Sequence, residues 1–178
     1  MIREFFNSIQ WWQIVKEGFF IVVVVLVMNF VLPRSIVRGH SMEPNLYEGN
    51  RLAGSPIPYW VGEPQRGDII MLYPVEENGP NLVKRIIGLP GETIEIYEQQ
   101  VYVDGQLLEE DYIQEPCRRY RCNDAVWVLG DDELFVMGDN RNVSRDSRNY
   151  GAVTSDKIMA KVILRWWPLT ELSTFNPL

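Results

Sequence analysis

The sequence predicts a mainly β protein, a sandwich or barrel of mostly antiparallel strands, preceded by one N-terminal transmembrane helix. Three observations carry that reading. The most apolar run, "GFFIVVVVLVMNFVL" (18–32), lies near the N-terminus and carries no charge. Most of the 11 prolines and 13 glycines fall after it and cut the rest into short pieces, the punctuation of strands and turns. Of the 178 residues, 46% are hydrophobic, enough for a packed core and too many for a disordered chain.

Taken alone, the run from Gly18 to Leu32 is somewhat short for a hydrocarbon core of about 30 Å, at about 1.5 Å per residue. Ile9, Trp11, Trp12, Ile14 and Val15 extend it upstream, interrupted by Lys16 and Glu17. Tryptophans suit the headgroup interface, and a lysine there can snorkel. The expectation is a span over about 9–32, stopped by Pro33. That gives an anchor, 1–33, and a β domain, 34–178. A cleaved secretory signal would need a small-residue site after the apolar core, and "NFVLPRSIV" offers none. A buried core helix would show a polar face. Arg3 and Lys16 are balanced by Glu4 and Glu17, and Arg34 and Arg38 follow, so local charge does not set the orientation.

Strands are predicted over 66–75, 81–89, 92–108, 133–139 and 157–167, which are β-branched and aromatic and bounded by turn signals. The stretch 92–108 reads as two strands meeting near Gln99 and Gln100, with Asp104-Gly105 turning the chain again.

The net charge of −7 argues against a nucleic-acid binder, which needs a basic face. One histidine and two cysteines make a poor metal site, because structural zinc takes four such ligands. No metal or cofactor is expected. Cys117 and Cys122, in "CRRYRC", suggest a short-range disulfide if this part of the chain meets an oxidising compartment. Two free thiols are the alternative.

The candidate nucleophile is Ser41, in "VRGHSMEPNL" (37–46). A serine hydroxyl is weak until a base stands beside it. His40 is its immediate neighbour, and in an extended segment adjacent side chains point to opposite faces, so a histidine-based triad is disfavoured. A lysine can serve if its ammonium is destabilised. In "NLVKRIIGL" strand alternation puts Leu82, Lys84 and Ile86 on one face. A lysine on an apolar face loses solvation, which lowers its pKa. Snorkelling at a strand edge is the competing reading of Lys84. The loop "GDNRNVSRDSRNYG" (138–151) packs Asp139, Arg141, Ser144, Asp146 and Arg148 between strand-like stretches. Asp146 and Arg148 are spaced to pair within a bend, and the serines offer hydroxyls to a neighbouring amine.

Five segments in this order, the apolar N-terminus, "SMEPNL", "GDIIML", "VKRIIGLPGE" and "MGDNRNVSRDSRNYGAV", resemble the type I signal peptidases, most closely the bacterial members. The resemblance implies two antiparallel sheets coiled into a partly closed barrel. It implies a serine endopeptidase that removes signal peptides from translocated preproteins, cutting after small residues at the first and third positions before the cut. It places the protein in the bacterial cytoplasmic membrane as a single-pass protein, catalytic domain outside, with preproteins and the lipid bilayer as partners. Oligomeric state is left open.

Residue by residue, Ser41 matches the nucleophile and Lys84 the general base. Ser144 matches the serine that orients that lysine, and Asp146 and Arg148 an ion pair bracing the loop. Val37, Met42, Leu46, Leu82 and Val83 align with the walls of the substrate pockets. Cys117 and Cys122 resemble a disulfide of some members. Two positions depart from a frequent pattern. Gly39 stands where some members carry a serine that helps hold the oxyanion, and Asn142-Val143 replaces Asp-Asn. Two other classes compete. A self-cleaving Ser-Lys regulator would cut at Ala-Gly upstream of its serine, whereas Ala53-Gly54 is downstream of Ser41. A non-catalytic membrane-anchored module would not need both dyad positions intact.

Overall fold

The structure, a computed structural model, describes residues 11–175. The chain divides into two compact units, Met1–Leu32 and Pro33–Leu178. In the first, helix α1 covers Trp11–Val31. Among the described residues no helix is long and apolar enough to cross a membrane. This corrects the expected transmembrane helix, and with it the single-pass placement in a bacterial cytoplasmic membrane. The expected span counted Ile9 and Gln10, which lie outside the described residues. Within α1, Gln13, Lys16 and Glu17 occupy the opening turns. The uncharged remainder, Gly18 to Val31, rises only about 21 Å at about 1.5 Å per residue, against a hydrocarbon core of about 30 Å.

The second unit is built on two antiparallel sheets. The larger contains β1 (Arg34–Ile36), β2 (Arg51–Ser55), β3 (Ile69–Leu72), β4 (Leu82–Gly88), β9 (Glu133–Met137), β10 (Val153–Thr154), β11 (Ile158–Trp167) and β12 (Ser173–Thr174). Its order is β1-β2-β11-β3-β4-β9-β10, with β12 on β11. The smaller runs β7-β6-β5-β8, with β5 at Thr93–Tyr97, β6 at Gln100–Val103, β7 at Gln106–Leu107 and β8 at Ala125–Val128. Register shifts interrupt β11 against β2 and β3, and β4 against β9. Such irregularities add twist and curl the larger sheet into a half-barrel.

Local sequence explains the elements. β3, Ile-Ile-Met-Leu, is buried at all of its positions, as expected for a central strand covered on both faces. Glu98 and Gln99 have positive φ (47° and 71°), as do Asp104 and Gly105 (49° and 75°). These are the two-residue turns that match strand twist, and they join β5 to β6 and β6 to β7. β4 pairs with β3 from Leu82 to Arg85. On its other side β9 pairs only with Arg85, Ile86 and Gly88. "PIPYWVG" forms a short helix, α2 (Ile57–Val61), with proline at its start. It divides the aromatics: Tyr59 packs on the core and donates its hydroxyl to Asp68 Oδ2 at 2.8 Å, while Trp60 is 69% exposed.

Candidate active site

The segment carrying Ser41 is a series of turns, not the extended strand on which the exclusion of His40 rested. The Glu43 N–H donates to the His40 carbonyl at 3.4 Å and Leu46 N–H to Met42 at 2.8 Å. His40 is taken up at the surface instead, its Nδ1 lying 2.8 Å from Glu43 Oε1, and no hydrogen bond joins its ring to Ser41 Oγ among the described residues. Glu43, by hydrogen bond and charge, raises the His40 pKa. Gly39 has φ +77°, in the left-handed region where a side chain is strained and glycine is not. That is the local reason this chain carries no hydroxyl there.

Lys84 supplies the partner. Its Nζ lies 2.9 Å from Ser41 Oγ. β4 runs between β3 and β9, Lys84 is opposite Ile70, and only 3% of it is exposed. Burial pushes its pKa down from 10.5 to about 8; the Asp146 charge opposes this, the Arg148 charge adds to the lowering, and Asp139 opposes it. Desolvation favours the neutral amine. Lys161 is occupied elsewhere, paired with Asp68 at 2.7 Å.

The loop after β9 encloses the pair. Asn140 N–H donates to the Ser41 carbonyl at 3.1 Å. Gly138 N–H donates to Asp146 Oδ2 at 3.0 Å. Asp146 caps α3 (Ser147–Tyr150) through a capping box with Asn149. Arg148 grips the same carboxylate at two points, 2.8 Å each. Burial pushes the Asp146 pKa up, but the hydrogen bonds and charge of Arg148, the Ser144 hydroxyl and the Gly138 N–H hold it below the ordinary carboxylate value. Ser144 is buried, and apart from its pull on the Asp146 carboxylate its Oγ makes no well-aligned hydrogen bond among the described residues.

Of the expected pocket residues, Val37, Met42 and Leu46 are buried in one apolar cluster against which Val83 packs. Leu82 instead packs against the cluster containing Ile70, Ile86 and Val136. Cys117 and Cys122 are disulfide-bonded, and both sulfurs contact Arg148 Nη1, at 3.3 and 3.1 Å.

The family described as Signal peptidase, peptidase S26 matches residues 11–167. The chain belongs to this family. A signal peptidase I of Leptolyngbya laminosa is 36% identical over 170 residues, 90% of this chain and 81% of its own length. A probable signal peptidase I-1 of Synechocystis sp. is 37% identical over 172 residues, covering 90% and 86%. A solved signal peptidase I of Enterococcus faecalis V583 is 34% identical, with a TM-score of 0.49 over 56% of this chain and 96% of that one. Membership makes the chain an enzyme, a serine protease of the signal peptidase I type.

Within this signal peptidase fold, several site residues escaped the reading of the sequence. Arg85, beside the lysine on β4, clasps Asp139 through Nε and Nη2 at 2.8 Å each and lies 4.2 Å from the Tyr112 ring centre. Asn45 donates to Asp139 Oδ2 at 2.8 Å and to the Tyr112 carbonyl at 2.7 Å. Arg141 pairs with Glu110, with both side chains buried. Alternating Asp and Arg in the loop was the available signal, but their partners lie tens of residues away. Gly138 is the tightest point. A Cβ there would collide with the Ser144 side chain and the Ser41 carbonyl.

Proposed function

We propose that the protein cleaves signal peptides from preproteins by a Ser41-Lys84 dyad, cutting after small residues. The observation that carries this is the 2.9 Å contact between Ser41 Oγ and a lysine amine buried enough to ionise near pH 8. At pH 7 a base of that pKa is about one-tenth neutral, and at pH 9 about nine-tenths.

Neutral Lys84 accepts the Ser41 proton as Oγ attacks the scissile carbonyl. The resulting oxyanion is held by main-chain N–H groups, chiefly that of Ser41, since Gly39 offers no hydroxyl. As the C–N bond breaks, the Lys84 ammonium returns the proton to the leaving amine, and the signal peptide remains as an ester on Ser41. Water then gives a proton to Lys84 and attacks the ester, and Ser41 regains its hydrogen. The Ser144 hydroxyl, its hydrogen turned towards Asp146, accepts a hydrogen bond from Lys84 Nζ and holds it while Ser41 is acylated. Asp146 and Arg148 keep the loop carrying Ser144 in place. Val37, Met42, Leu46 and Val83 wall the space for the small residues before the cut, and Leu82 supports the strand from its other face.

The test is cleavage of a preprotein by the full chain. Ser41→Ala and Lys84→Ala should each reduce kcat by at least about a thousandfold, as for other groups acting as one unit, while circular dichroism stays that of the wild type. A Lys84→Ala variant of near wild-type rate would remove the dyad from consideration.

A further inference from the structure

We infer that a polar cavity beside the nucleophile turn receives the first residues of the mature chain, and that it favours basic over acidic side chains there. This rests on the proposed Ser-Lys reading. The cavity measures about 190 Å³, and Glu43, Asn140, Asn142, Glu115 and Arg118 are among the residues that line it. It adjoins the reacting serine twice. Glu43 is two residues from Ser41, within about 7 Å along the chain, and Asn140 holds the Ser41 carbonyl. An extended peptide advances about 3.3 Å per residue, so the second and third residues from the scissile bond reach it.

The side is set by exclusion. Val37, Met42, Leu46 and Val83, which wall the upstream subsites in the proposed mechanism, form one apolar cluster, and none of them lines this cavity. A peptide with its signal half against that cluster passes the cavity with its mature half.

The outer wall is built. Asn142 Oδ1 accepts from the Arg118 N–H at 2.8 Å, and its Nδ2 donates to the Pro116 carbonyl at 3.2 Å. The Cys117–Cys122 disulfide closes the same loop. Asn142, where this chain departs from the frequent family pattern, thus shares a task with the disulfide: both hold the 116–122 loop over the cavity.

Charge gives the preference. Asp139 and Arg141 also border the cavity, but Arg85 and Glu110 occupy them. Glu43, Glu115 and Arg118 remain; Glu43 also meets His40 Nδ1 at 2.8 Å, a contact that is an ion pair only when the imidazole is protonated. Glu115 and Arg118 are 3.7 Å apart, with side chains 61% and 59% exposed, a weak pair open to a third charge. With the His40 imidazole neutral, as at the alkaline pH where Lys84 is the free amine, two carboxylates against one guanidinium leave the cavity negative.

Two preproteins differing only at the second and third residues after the cut, Lys-Lys in one and Glu-Glu in the other, test this with the full chain. The wild type should show kcat/KM roughly two- to fivefold higher for the lysine substrate at low salt, and the ratio should shrink at high salt as the charges are screened. Glu43→Gln with Glu115→Gln should bring the ratio towards one, and Glu115→Lys should lower it by itself. A ratio cancels any loss of folded protein. Equal rates in the wild type, or a ratio that neither variant moves, would overturn the assignment. Cleavage by Ser41→Ala would instead overturn the dyad reading beneath it.

Discussion

Arg148 binds Asp146 through two hydrogen bonds of 2.8 Å, from Nε and Nη2, and both side chains are almost wholly buried. The third nitrogen, Nη1, reaches the Arg141 carbonyl at 2.9 Å as well as both disulfide sulfurs. One guanidinium therefore joins the capped start of α3, the loop over Ser41 and the disulfide loop. Its charge also acts on Lys84, lowering that pKa while Asp146 raises it.

Arg148→Ala should do two separable things. It leaves the Asp146 carboxylate buried without its partner, which costs about 3–5 kcal/mol, readable as a fall in the urea midpoint. It also removes a positive charge and leaves Asp146 acting on Lys84 unopposed. The Lys84 pKa then rises, and the ascending limb of kcat/KM against pH moves to higher pH. A variant that lost stability with an unmoved profile would confine Arg148 to the scaffold.

The wild-type profile follows from the Lys84 pKa of about 8. In the proposed mechanism the neutral amine is the base, so kcat/KM should climb close to tenfold per pH unit below 8 and level off above it. Stability carries the opposite sign from that of an ordinary ion-paired lysine. Between the folded value and the unfolded 10.5 the unfolded chain binds more protons, so Lys84 contributes stability that rises with pH across that window and is absent below it. At pH 7 the buried amine is a liability. Lys84→Met should be inactive and more stable at pH 7 by about 1–3 kcal/mol, with the gain shrinking as pH approaches 10. Chemical denaturation at the two pH values checks both statements.

Gly138→Ala tests a contact instead of a charge. Its Cβ would meet a backbone carbonyl and a buried side chain, neither able to swing away. Forcing a methyl into such a site costs typically about 1–3 kcal/mol. It should also spread Ser41 from Ser144, so kcat should fall far more than the folded fraction does. Parallel measurement of kcat and the thermal midpoint separates the two; full activity in the Gly138→Ala variant would sink the account.

Much of the site was legible because its determinants are local. Lys84 stands out because alternation along β4 places a charge among Leu82 and Ile86, and Ser41 through the resemblance carried by "SMEPNL", since its segment alone could equally be a turn. The long strands were legible from β-branched runs. β2 was not, since "RLAGS" has no β-branched residue, and α2 was hidden between prolines. The Arg85–Asp139 pair spans 54 residues, and the need for glycine at 138 arises only where two distant segments touch. The N-terminal span was over-read. Upstream apolar residues were added to a run that is too short alone, across Lys16 and Glu17.

The partial pairing of β4 has a further consequence. β9 takes up Arg85, Ile86 and Gly88 and, among the described residues, no strand continues along that edge beside Leu82, Val83 and Lys84. Three residues ending at Lys84 therefore have main-chain groups on that side that no strand takes up. A chain laid along it is gripped by its peptide groups, which are the same in every protein. Recognition of this kind reads the shape of a backbone and leaves the side chains largely unread.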